Sequence, residues 1–122
     1  LRRLRAFREV DEAEFVAEPA LHDLAERYLH LAMEACLDLA NHWLAERRLP
    51  TPDTNRDTFT ILEQAEELDG DLAERLRGWA GFRNILVHEY LAIDHAVTYR
   101  AICDKLGDLE ALAAWAAARL EA

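Results

Sequence analysis

The sequence predicts an all-α fold: an up-down bundle of four to five helices around one long central helix. Three observations carry this. Ala, Leu, Glu and Arg dominate, and only four glycines and three prolines interrupt 122 residues, so helix propensity is high nearly everywhere. Apolar residues recur at steps of three and four through most of the chain. No stretch reads as a strand, and no internal repeat or low-complexity segment is present. The length fits a single domain, residues 1–122.

Taken in order, Leu1, Leu4 and Phe7 mark the end of a first helix, whose start is expected to lie before this numbering. Phe15 and Val16 follow in a short segment that stops at Pro19. Pro19 suits the first turn of the next helix, where a missing N–H costs nothing. That second helix is expected from about 19 to about 48. It carries two apolar stripes. One runs Leu21, Leu24, Tyr28, Leu31, Ala35, Leu39 and His42; the other runs Leu29, Met33, Cys36, Leu37, Ala40 and Leu44. Two stripes are more than a surface helix needs. Such a helix is central in the bundle, or a second subunit covers its other side.

Pro50 and Pro52 close this element. Asn55 is a fitting cap for a third helix with Phe59, Ile61, Leu62 and Leu68, ended by Gly70. Asp71 with Glu74 resembles a capping box for the fourth helix, which carries Leu72, Leu76, Trp79 and Phe82. Asp94 caps the last helix, where Tyr99, Ile102, Leu106, Leu109, Ala113, Ala116 and Leu120 repeat at helical spacing. Gly107 inside it suggests a bend or a close approach.

Charge limits the function. At −10 the chain carries the opposite sign to a general nucleic-acid binder. Any RNA contact must be local, or the dominant partner is a protein. Arginines gather at Arg2, Arg3, Arg5 and Arg8 and again at Arg75, Arg77 and Arg83; each set reads as a solvated helix face. Cys36 and Cys103 lie in apolar helical patterns and read as buried thiols of a cytoplasmic protein, without a disulfide framework. No apolar run approaches a membrane span, and no signal peptide is visible.

The chemistry concentrates in Arg83-Asn84-Ile85-Leu86-Val87-His88-Glu89-Tyr90. A permanent cation that forks onto phosphate oxygens stands beside the side chain best suited to moving protons near neutral pH. That is a minimal kit for cleaving a phosphodiester without a metal. Asn84 and His88 share a helix face, but Arg83 and His88 diverge by about 140° on a straight helix. They converge if the helix ends near Val87, or if two copies meet across a two-fold axis. Ile85, Leu86 and Val87 are expected to pack and hold the polar groups; Gly78 and Gly81 would admit another backbone. Spacing alone leaves other roles open: a capping histidine, an arginine in a surface ion pair, a rim tyrosine.

Gly81-Phe82-Arg83-Asn84-Ile85-Leu86-Val87-His88-Glu89-Tyr90 resembles the R-x4-H-x-Y signature of HepT-like toxins in the HEPN superfamily. Leu31 to His42 looks like that family's long second helix, and the helix from Asp94 sits where the family places its last. The resemblance implies a HEPN-like bundle and a metal-independent endoribonuclease, the toxin of a toxin–antitoxin pair of the type II or VII kind. It implies Arg83 and His88 as the catalytic pair with Asn84 in support, and neither metal nor other cofactor. It implies a homodimer, an RNA substrate cut by its own 2′-hydroxyl, and a minimal nucleotidyltransferase antitoxin that transfers AMP from ATP to Tyr90. The alternative is a non-catalytic module that binds a nucleotide or a partner protein.

Other constellations are weak. Glu18 with His22 and Glu26 with His30 stand four apart, which is ordinary helix pairing. His22, His30 and His95 are expected to be exposed and His42 packed near a helix end. A structural bundle with a metal site is the third and least favoured reading. Trp79 and Trp115 suit core or interface packing, with base stacking on Trp79 a weaker option.

Overall fold

The computed structural model describes residues 1–120, except for the side chains of Tyr90 and Leu120. Among the described residues there are seven α-helices and no strand. They are α1 (Arg2–Arg5), α2 (Glu12–Ala17), α3 (Pro19–Glu46), α4 (Asn55–Gln64), α5 (Gly70–His88), α6 (His95–Asp104) and α7 (Leu106–Leu120). One 3-10 turn, Ala6–Glu9, follows α1 and another, Tyr90–Ala92, follows α5. The count exceeds the expected four to five because the N-terminal pieces are separate short helices and the last expected helix is two. It breaks in a bend at Lys105, two residues before Gly107 in the first turn of α7; a β-carbon on Gly107 would meet nothing within 4 Å, so the glycine marks no close approach.

The long α3 is the central element and packs against α1, α2, α4, α5, α6 and α7. Its inward face is the second of the two apolar stripes, with Leu29, Met33, Leu37, Ala40 and Leu44 buried. They meet Phe15, Phe59, Leu62, Leu76, Ile102, Leu109 and Leu112 in one core. Each such side chain contributes about 1.5–3 kcal/mol by leaving water. Burial also pushes the Cys36 thiol above its ordinary pKa, which suppresses the reactive thiolate. Cys103 is half-buried, and both thiols are free. The first stripe behaves differently. Leu21 and Tyr28 still pack on the core, whereas Leu24 and Leu31 are 46% and 47% exposed.

Caps set the element ends. Thr54, not Asn55, caps α4 by accepting from the Asp57 N–H. Asp69, not Asp71, caps α5 by accepting from Leu72, and Gly70 opens that helix rather than closing the previous one. Leu68 lies beyond α4, buried in the connection. Asp94 caps α6 as expected. Both α3 and α4 end in a left-handed residue, Arg48 at φ 55° and Glu66 at φ 59°. At α3 the Leu49 N–H reaches the Leu44 carbonyl and the Arg48 N–H the Ala45 carbonyl. At α4 the Glu67 N–H reaches Leu62 and the Glu66 N–H reaches Glu63. This is the Schellman closure, here without its usual glycine. No helix among the described residues is long and apolar enough to cross a membrane.

Candidate active site at the end of α5

Helix α5 stays regular through His88, so Arg83 and His88 stand on one continuous helix. Five residues separate them, about 7.5 Å along the axis and about 140° around it. The helix does not end early enough to turn them together. No hydrogen bond or ion pair joins them among the described residues. His88 is exposed at the last turn. Tyr90 begins the following 3-10 turn, and its side chain lies outside the described residues.

Arg83 is held firmly. Its Nε donates to Glu34 Oε1 of α3 at 2.5 Å, and Nη2 lies as close to the same oxygen. Nη1 donates to Asn84 Oδ1 at 3.2 Å. Nε and Nη1 thus donate one hydrogen bond each, and the guanidinium has further N–H groups for an incoming anion. Glu34 Oε1 also lies 3.5 Å from His30 Nε2, and His30 Nδ1 lies 3.4 Å from Arg27 Nη1. A polar row on α3, Arg27, His30 and Glu34, therefore runs beside Arg83. A hollow of 250 Å³ opens along it, lined by Asp23, Glu26, Arg27, His30, Leu86 and Ile93. At about 100° per residue, this row borders the exposed stripe of Leu24, Leu31 and Ala35.

The expected packing role of Ile85, Leu86 and Val87 holds in part. Leu86 packs on the core, while Val87 is 36% exposed. Gly78 has no neighbour that a β-carbon would meet, and Gly81 faces only the Arg56 side chain at 3.6 Å. Neither glycine admits another backbone within this chain. Arg75, Arg77 and Arg83 do not form a patch: they pair with Asp108, Glu63 and Glu34 in different directions. Trp79 is buried with its indole N–H on Asp108, which leaves no ring face for a base.

The histidines were misplaced by sequence alone. His22 is buried and His95 half-buried, because both turn inward toward Glu26. His42 is exposed beside Glu46 instead of packed. His30 pairs with Glu34, since Glu26 points into the fold. Glu34 itself was not singled out. Its only trace in sequence is the four-residue step from His30 along the helix face.

A family model described as "Ribonuclease HepT-like" matches residues 1–114. The mRNA nuclease HepT of Shewanella oneidensis is 32% identical over 100 residues, spanning 82% of this chain and 75% of that protein. The tRNA nuclease HepT of Aphanizomenon flos-aquae is 29% identical over 102 residues, or 84% of this chain and 69% of that one. A solved structure of a tri-AMPylated Shewanella oneidensis HEPN toxin in complex with MNT antitoxin superposes with a TM-score of 0.86. It is 29% identical and covers 96% of this chain and 87% of its own.

Proposed function

The chain belongs to the ribonuclease HepT-like family, and from that premise we propose that it is a metal-independent endoribonuclease, the toxin of a toxin–antitoxin pair. Arg83 and His88 carry the chemistry and Asn84 supports them. The observation that carries this reading is the Glu34–Arg83 pair: α3 fixes one guanidinium plane and leaves further N–H donors to meet phosphate oxygens.

The reaction needs few groups. The RNA 2′-oxygen attacks phosphorus, the bond to the 5′-oxygen breaks, and a 2′,3′-cyclic phosphate and a 5′-hydroxyl result. His88 takes the 2′-hydroxyl proton or supplies one to the leaving oxygen. Arg83 stabilises the charge that gathers on the phosphoryl oxygens. One chain leaves its single His88 about 140° around the helix from Arg83. A homodimer pools two such sets in one cleft, so that one His88 acts as base and the other as acid. The unpartnered stripe of Leu24 and Leu31, next to the Arg83 row, is where a second copy fits.

The same reading names the antitoxin as a minimal nucleotidyltransferase that adenylylates Tyr90. A bulky phosphodiester two residues from His88 would fill the space where the RNA phosphate sits and repel it. The HEPN toxin of Shewanella oneidensis, tri-AMPylated and in complex with its MNT antitoxin, supports this by likeness.

Purified protein is expected to cut RNA equally well with and without EDTA, and His88→Ala to lose about 100- to 10,000-fold, the usual worth of acid–base catalysis. Cleavage abolished by chelator in protein that circular dichroism shows still folded, or an active alanine variant, would overturn the mechanism. Co-expression with a cognate minimal nucleotidyltransferase is expected to add AMP units to the intact mass, absent in Tyr90→Phe; AMP retained in that variant places the modification elsewhere. The alternative, a non-catalytic binding module, draws on the same Glu34 contact, since a neutralised arginine binds phosphate less strongly. It predicts no cleavage at any protein concentration.

A further inference from the structure

Where the first turns of α3 meet the start of α6, three side chains converge that the proposed reaction does not use. His22 and Glu26 are 7% and 6% exposed, and His95 is the first residue of α6. One ligand atom from each lies within 4.8 Å of the others. The two imidazoles stack with centroids 3.5 Å apart at 17°. Glu26 Oε2 accepts from the Thr98 hydroxyl at 2.8 Å and lies 2.8 Å from His95 Nδ1. Two further polar atoms are orphans. His22 Nδ1 and Glu26 Oε1 are buried, 3.9 Å apart, and neither has a hydrogen-bond partner. Asp23 Oδ1 stands 2.8 Å from His22 Nδ1 but out of line for a hydrogen bond. Buried polar atoms in folded proteins are nearly always satisfied, so a facing pair of orphans points to something bound between them.

We propose that His22, Glu26 and His95 bind one divalent transition-metal ion, zinc by preference, and so tie α6 to α3. Two imidazole nitrogens and a carboxylate oxygen are a familiar zinc set, whereas magnesium and calcium take oxygen ligands. The chemistry of the donors, not their present spacing, selects the ion. Bonds of about 2.0–2.1 Å bring tetrahedral ligand atoms to roughly 3.4 Å apart, so the cluster closes by about an ångström, and the stacked rings turn out of parallel because an ion lies in the plane of each imidazole it binds. His95, half-buried on its outer side, has room to rotate. Thr98 orients Glu26 from behind, the outer support that metal carboxylates ordinarily have. Asp23 or water completes the fourth position, and the 250 Å³ hollow lined by Asp23 and Glu26 gives the ion access.

The site is structural and independent of the ribonuclease reading. Residues 89–94, which include Tyr90, run between the last residue of α5 and His95. Fixing His95 to α3 pins one end of that connection, so metal occupancy sets how firmly the Tyr90 segment is held while the Arg83–Glu34 pair stays untouched. Metal-stripped full chain is titrated with cobalt and then zinc. The expected result is one equivalent of cobalt per chain with the intense visible absorption of a tetrahedral site, displaced by zinc, and a higher melting temperature in zinc. His95→Ala, with folding checked by circular dichroism, should bind at least tenfold more weakly, and His42→Ala should bind as the parent does. Wild-type protein giving no tetrahedral cobalt spectrum, or His95→Ala binding with unchanged stoichiometry and affinity, overturns the site. Both outcomes can be read whether or not the protein cuts RNA.

Discussion

Glu34 decides how Arg83 can act. Two of the guanidinium's nitrogens meet on one carboxylate oxygen, which locks the plane of the fork. The contact costs some positive charge and gains orientation; for a group proposed to meet a transferring phosphoryl, orientation is the larger effect, since misplacement by about 1 Å can cost roughly 100-fold. Glu34→Gln keeps the shape and one acceptor but removes the charge. It is expected to leave the fold intact and lower RNA cleavage by roughly 10- to 100-fold, with kcat rather than KM taking most of the loss. A single-turnover assay beside circular dichroism checks this. Cleavage that rises in Glu34→Gln would mean that the carboxylate only competes with phosphate.

At the scale of the helices, spacing in the sequence located the elements and missed how they end. The 28-residue α3 was legible from its two stripes, as were Pro19 at its start and the Asp94 cap of α6. The end of α4 was misread because Gly70 looks like a stop. The true stop is Glu66, a residue whose sequence gives no sign of a left-handed backbone. Of the candidate site, Arg83, Asn84 and His88 can be named from the sequence because they sit inside two turns of one helix. Glu34 comes from 49 residues earlier, and only the α3–α5 packing reveals it. His22 and His95 were misjudged for the same reason, since their burial depends on a tertiary contact with Glu26. The left-handed ends lead to a prediction. A non-glycine residue there costs about 1–2 kcal/mol relative to an αR residue, against which glycine's greater unfolded entropy takes back about 0.4–1. Glu66→Gly is therefore expected to stabilise the protein by roughly 0.5–1 kcal/mol, read as a rise of a few degrees in melting temperature. A fall would show that the Glu66 side chain makes a contact worth more than the strain.

Across the whole molecule, an acidic body and an incomplete site argue for the same assembly. With a net charge of −10, diffuse attraction to RNA is absent, so the proposed RNA binding would rest on a few arginines in one cleft. The single chain sets Arg83 and His88 about 140° apart on one helix and leaves Leu24, Leu31, Val87 and Leu91 exposed. A two-fold pairing through the α3 stripe would cover part of that surface and bring the second copy's α5 alongside the first. In an isologous interface a residue near the axis meets its own copy, so one substitution acts twice. Leu31 is 47% exposed, and its replacement should change monomer folding by no more than about 0.5 kcal/mol. Leu31→Glu instead sets two carboxylates against each other, about 3 kcal/mol or roughly 100-fold in the dimer's Kd. Light scattering on a sizing column should then show a monomer at concentrations where the parent is a dimer. RNA cleavage should fall in parallel and recover as protein concentration rises. A Leu31→Glu variant that stays dimeric puts the interface on another face; a monomer that cuts at the parental rate shows that one chain completes the site alone.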